Sequence, residues 1–117
     1  MNGILNQNIR NFRKFKGISQ EELGNQIGKS KNVISNWERG DNSPDIDCVE
    51  LICQVLGVTP NQLFGWEPYE EYNEYLSIMA KKQEELRYLE EQQKEIQSRI
   101  GDLLVSIKTE EDRWRNN

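Results

Sequence analysis

Apolar residues in the first half of this chain recur at helical rather than strand spacing. Leu5, Ile9 and Phe12 fall at i, i+4 and i+7, with Phe15 three further on, and mark one helical face. Gly17 ends that segment. Ser19 is a strong N-cap, and Glu22 three residues later completes a capping box. Leu23 and Ile27 form the next apolar pair, and Gly28 suits a left-handed C-terminal position. Ser30 caps a third helix in which Ile34 and Trp37 face inward and Gly40 stops the chain. Ser43 or Asp45 opens a fourth, with Pro44 near its first turn and Ile46, Val49, Ile52, Val55 and Leu56 inside. Thr59-Pro60-Asn61-Gln62-Leu63 starts a short fifth helix. The pattern therefore predicts five short helices and no strand.

The grammar changes after residue 65. Gly65-Trp66-Glu67-Pro68 is the expected boundary, because proline disfavours helix at the residue before it. Residues 70–115 contain no proline and only Gly101. From Tyr72, apolar or aromatic residues recur in alternating steps of three and four: Tyr75, Met79, Leu86, Leu89, Ile96, Ile100, Leu103 and Ile107, interrupted by Lys82 and Gln93. A heptad seam of this kind predicts a long self-associating helix. Such a polar helix cannot be stable by its own burial, so it needs a partner surface. A helix folded back on its own N-terminal domain, or a charged tail, are the competing outcomes. Gly101 is either a tolerated exposed glycine or a break. Leu104 and Val105 widen the apolar surface, leaving a hairpin or four-helix assembly open alongside a coiled coil. A parallel dimer brings Glu85 against Glu90, and an antiparallel one brings Glu85 towards Arg99, so orientation is open too. The expected organisation is residues 1–65 as one domain, 66–70 as linker and 71–117 as a helical oligomerisation region.

Composition narrows the chemistry. The 117 residues contain no histidine, which removes the usual general base and the commonest transition-metal ligand. Cys48 and Cys53 lie five apart, a spacing that suits neither a metal site nor a redox pair. They read as two small buried residues of a reduced protein. No nucleophile–base pair or phosphate loop is present, so neither an enzyme, a cofactor nor a metal is expected. No apolar run approaches the ~18 residues that span a membrane. The net charge of −5 argues at first against nucleic acid. Residues 1–40, however, hold seven basic and three acidic side chains, a balance of +4, whereas 41–65 carry −4 and 66–117 carry −5.

That basic surplus coincides with a recognisable arrangement. Two short helices, Gln20–Ile27 and Lys31–Arg39, are joined only by Gly28-Lys29-Ser30, and in such a pair the second helix can enter a DNA major groove. The run Ser19-Gln20-Glu21-Glu22-Leu23, the turn, Ile34-Ser35-Asn36-Trp37-Glu38-Arg39-Gly40, Pro44 and Leu56-Gly57-Val58-Thr59 resemble the Cro/phage-repressor (XRE-type) helix-turn-helix family. Ile9-Arg10-Asn11-Phe12-Arg13 is similar to its first helix. The resemblance covers about residues 8–64 and implies an all-α fold, a five-helix lambda-repressor-like domain that binds operator DNA, commonly as a dimer on a palindrome. A long C-terminal coiled-coil helix follows it here.

By position, the resemblance implies that Gln20 hydrogen-bonds a phosphate and braces the recognition helix. Lys31, Asn32, Val33, Ser35 and Asn36 take the base-reading positions. Lysine suits guanine O6/N7, asparagine suits adenine, and valine suits a thymine methyl. Arg10 and Arg39 suit phosphate, and Arg13 is expected to pair structurally with Glu38. Trp37 reads as a core anchor. Gly24 stands where the family often has alanine, Lys29 replaces a commonly apolar turn residue, and the Asp41-Asn42 loop lacks the family's frequent basic contacts.

The expected function is a sequence-specific DNA-binding transcriptional regulator, a repressor acting as a dimer or higher oligomer in a bacterial or phage-encoded, cytoplasmic setting. An antirepressor or toxin protein is a possible further partner. The alternatives are an antitoxin or restriction-system controller with the same domain, or a coiled-coil adaptor that no longer binds DNA.

Overall fold

Capping and glycine stops partition the chain as the polar pattern requires. The computed structural model describes residues 2–116. Its elements are α1 (Asn2–Phe15), α2 (Gln20–Ile27), α3 (Lys31–Arg39), α4 (Ile46–Leu56), α5 (Pro60–Leu63) and α6 (Glu70–Arg115). No strand occurs among the described residues.

The caps explain the starts. Ser19, Ser30, Asp45 and Thr59 each accept a hydrogen bond from the backbone N–H three residues on, satisfying a donor that the first turn would otherwise leave unpaired. Asp45, not Ser43, caps α4, so Pro44 precedes the helix. The Cys48 N–H bonded at 2.8 Å holds the Asp45 carboxyl below its ordinary value of 3.8. Stability from this cap is therefore present above the ordinary carboxylate range and is lost as pH falls through the lowered value. At Thr59 the box is reciprocal, because Gln62 Oε1 accepts from the Thr59 N–H at 3.0 Å.

The core is one cluster, with Ile9, Leu23, Ile34, Ile52, Leu56 and Leu63 fully enclosed and Leu5, Phe12, Ile27, Trp37 and Val49 around them. Every sequence-assigned inward residue of α2 and α3 lies in it. Ile46 is the exception on α4. It is the first residue of the helix and is exposed. Cys48 and Cys53 are buried free thiols, and burial pushes both thiols up.

This first compact unit runs to Tyr75, ten residues beyond the boundary that composition suggested. Tyr69 is buried. Its ring meets Phe12 edge-on at 5.0 Å and Phe15 at 5.8 Å, and Tyr72 meets the same two phenylalanines at 5.1 and 5.4 Å. Tyr75 lies 5.0 Å from Phe15. Residues 66–70 thus lead into core packing, and Tyr75, expected in the oligomer seam, has a ring partner within its own unit. Edge-to-face aromatic pairs contribute about 0.5–1.5 kcal/mol each beyond burial.

The second unit, residues 76–117 by chain division, is the continuation of α6. Gly101 does not break it, and the space beside Gly101 is open, so the glycine costs only its intrinsic ~1 kcal/mol. No residue of α6 beyond Tyr75 is buried among those described. Leu86, Leu89, Ile96, Ile100, Leu103 and Ile107 are all exposed, and Met79 is half-buried. None of the described helices is long and apolar enough to cross a membrane.

Candidate nucleic-acid interface

α2 and α3 are set against each other by a turn whose geometry depends on two glycines. Gly28 sits at φ 75°, a left-handed conformation that side chains with a Cβ resist. Gly24 lies inside α2, where glycine is intrinsically poor, yet a Cβ there would collide with the Lys29 carbonyl oxygen and lie 3.3 Å from its carbon. The Lys29 N–H in turn donates to the Gly24 carbonyl at 2.8 Å. Close approach of turn to helix thus explains the departure from alanine. Gly24→Ala is expected to destabilise the fold by about 1–3 kcal/mol, because displacing backbone outweighs the ~1 kcal/mol of helix propensity gained. A higher denaturation midpoint for the alanine variant would overturn this account.

Beyond the turn, α3 is anchored from its far end. Arg13 Nε donates to Glu38 Oε2 at 2.7 Å and Nη2 donates to Oε1 at 2.9 Å, while Nη1 reaches the Ile18 carbonyl at 2.8 Å. The two side chains are only 9% and 4% exposed. A carboxylate only accepts, so Gln20 must present its amide N–H to Glu38, and Nε2 does so at 3.0 Å. Helices α1, α2 and α3 therefore share one carboxylate. Trp37, beside Glu38, is buried in the core. Only one Gln20 amide hydrogen is engaged, which leaves the other for an external acceptor.

The outward face of α3 is polar. Lys31 and Asn32 at its start are exposed; Val33, Ser35 and Asn36 are half-exposed. Val33 also packs against the core, so only part of its side chain is available to a methyl group. Arg39 bonds Ser35 Oγ and Asn36 Oδ1, and its Nε lies 3.1 Å from Asp41 Oδ2. In this arrangement Arg39 orients two base-reading candidates rather than standing free for phosphate. Asn36 Oδ1 keeps a second lone pair and its amide keeps both hydrogens, the complement needed for adenine. Arg10 is exposed and lines a shallow cleft with Arg13, Lys14, Gln20, Ser35, Glu38 and Arg39. Lys14 was not among the phosphate candidates read from sequence; its place in the basic run of α1 was the signal, but only the α1–α3 packing brings it to the same cleft. Lys29, in the turn, is exposed.

Residues 9–63 match the family model described as helix-turn-helix. The solution structure of the DNA-binding domain of the P22 c2 repressor superposes with a TM-score of 0.50 at 32% identity, covering 51% of this chain and 79% of that one. The chain belongs to the helix-turn-helix family. Among curated relatives of this helix-turn-helix protein, antitoxin PezA of Streptococcus pneumoniae is 29% identical over 79 residues, covering 64% of this chain and 50% of its own. The cryptic phage CTXphi transcriptional repressor RstR of Vibrio cholerae is 34% identical, covering 47% of this chain and 50% of its own. The helix-turn-helix chain thus spans about half the length of these two relatives.

Proposed function

We propose that this helix-turn-helix protein is a sequence-specific DNA-binding transcriptional repressor that occupies a palindromic operator as a dimer or higher oligomer. The observation that carries it is the anchored α3: Arg13 and Gln20 converge on Glu38 while Lys31, Asn32, Ser35 and Asn36 face outward. Lys31, Asn32, Val33, Ser35 and Asn36 read base edges in the major groove. Gln20, Arg10 and Arg39 hold phosphates, which set register without carrying sequence information. Arg39 must then exchange Asp41 for a phosphate oxygen, an anion-for-anion substitution at an exposed pair. The α6 seam joins the subunits, so that two α3 helices meet half-sites spaced by about 34 Å or a multiple of it. No catalytic step, cofactor or metal enters this role.

Footprinting on DNA flanking the protein's own gene tests it. Protection of a palindrome, weakened by salt, is expected. Asn36→Ala should cost about 1–3 kcal/mol of discrimination at each half-site. Equal protection of operator and random DNA by the unaltered protein would sink the proposal, and unchanged discrimination by the variant would remove Asn36 from the reading set.

The similarity to antitoxin PezA favours a second reading. Here the same domain represses while the exposed α6 seam holds a toxin. A stable complex with the product of an adjacent gene would select this reading; a restriction-system neighbour would select a controller protein instead.

A further inference from the structure

Along the second unit, α6 presents an apolar seam, interrupted at Lys82 and Gln93, whose described apolar residues are exposed apart from the half-buried Met79. Two copies can be paired through this seam in only a few ways, because heptad geometry fixes which side chains flank it. Resting on the self-association proposed above, we infer that two copies of α6 pair antiparallel, with a two-fold axis level with Glu91 and Glu85 of each copy facing Arg99 of the other.

Charge and apolar complementarity both select this arrangement. In a parallel, in-register pair Lys82 meets Lys82 inside the seam, and Glu85 meets Glu90 across its edge. No flanking pair between residues 76 and 107 then joins opposite charges. In the antiparallel pair the Glu85–Arg99 contact forms twice by symmetry. Lys82 now faces Ile100, where its methylene stem covers apolar surface and its ammonium reaches water. Leu86 faces Ile96 across the seam.

The register follows from residues just outside the seam. Leu76 and Leu104 are exposed at 44% and 62%, although neither occupies a seam position. In the antiparallel register they face each other and extend the apolar strip on both sides of the axis. Sliding one copy by a heptad in either direction sets Glu85 against Gln92 or Ser106, and Leu76 against Gln97 or Glu111. Both complementarities are lost together. One like-charge contact remains, between the two copies of Glu90 near the axis, where both side chains sit at the solvent edge.

Sedimentation equilibrium of the full chain at low salt, with helix content followed by circular dichroism, tests the inference. E85R and R99E should each weaken self-association roughly tenfold, since each turns two attractions into repulsions. The double variant E85R/R99E should return to within about threefold of the original. A parallel pair gives the opposite sign, because E85R then sets unlike charges against Glu90 and tightens the dimer. Tightening by E85R, indifference to it, or failure of the double variant to recover would overturn the antiparallel register. A chain that stays monomeric at every concentration would overturn self-association itself, whatever its behaviour on DNA.

Discussion

Arg13→Ala is expected to lower the stability of the first unit by about 3 kcal/mol, or roughly 15 °C in melting temperature for a unit of this size. The side chain is buried and makes three hydrogen bonds, two of them to Glu38 and one to the Ile18 carbonyl. Removing it leaves the Glu38 carboxylate inside the fold with only the Gln20 amide. An uncompensated buried charge is far costlier than the net worth of the intact pair. For that reason R13M/E38M should lose less than the sum of the single variants, since both charges leave together. Operator affinity should fall with Arg13→Ala as well, because Glu38 then sits unneutralised behind a helix that must approach phosphate. Scanning calorimetry and gel-shift titration measure the two effects. An unchanged melting temperature together with unchanged DNA binding would refute the bracing role.

L89D/I96D should separate the subunits and lower operator affinity by about a thousandfold, within the range gained when a second binding event becomes intramolecular. Both residues are more than half exposed, so aspartate is tolerated in a separate chain but not inside an apolar seam. The melting of the first unit should stay where it was, which distinguishes lost association from lost folding. Weak binding to a single half-site should survive. Full affinity in a demonstrably monomeric variant would show that one domain suffices, and the α6 seam would then belong to some other partner.

Much of the architecture could be read directly from the chain because its signals are local. Ser19, Ser30 and Thr59 with their glycine or proline punctuation announce helix ends within three or four residues, and Ile9, Leu23, Ile34 and Ile52 announce the buried faces by spacing alone. The Arg13–Glu38 pair came from family resemblance, since no local rule links residues 25 apart. What escaped depended on approach between elements. Gly24 departs from the family's alanine because the Lys29 carbonyl lies against it, a contact that no local pattern shows. Arg39 looked free for phosphate because sequence shows a charge but not that Ser35, Asn36 and Asp41 surround it. Tyr69 and Tyr72 lie past a proline and inside a polar stretch, so composition assigned them away from the core that they join. The base-reading roles of Lys31, Asn32, Val33, Ser35 and Asn36 are a matter for DNA, and helical periodicity fixes only their face.

The aromatic group formed by Phe12, Phe15, Tyr69 and Tyr72 decides where the chain can be cut. A fragment stopping at Gly65, where the composition changes, would discard both tyrosines and leave Phe12 facing water at the surface of α1. Such a piece is expected to be less stable than one that keeps both tyrosines, by the ring contacts and apolar burial it gives up. Ending the fragment after Tyr75 keeps the tyrosines with the phenylalanines they cover and leaves the seam from Met79 onward behind. The working module for dissecting this protein is therefore set by ring packing rather than by the visible seam in its sequence.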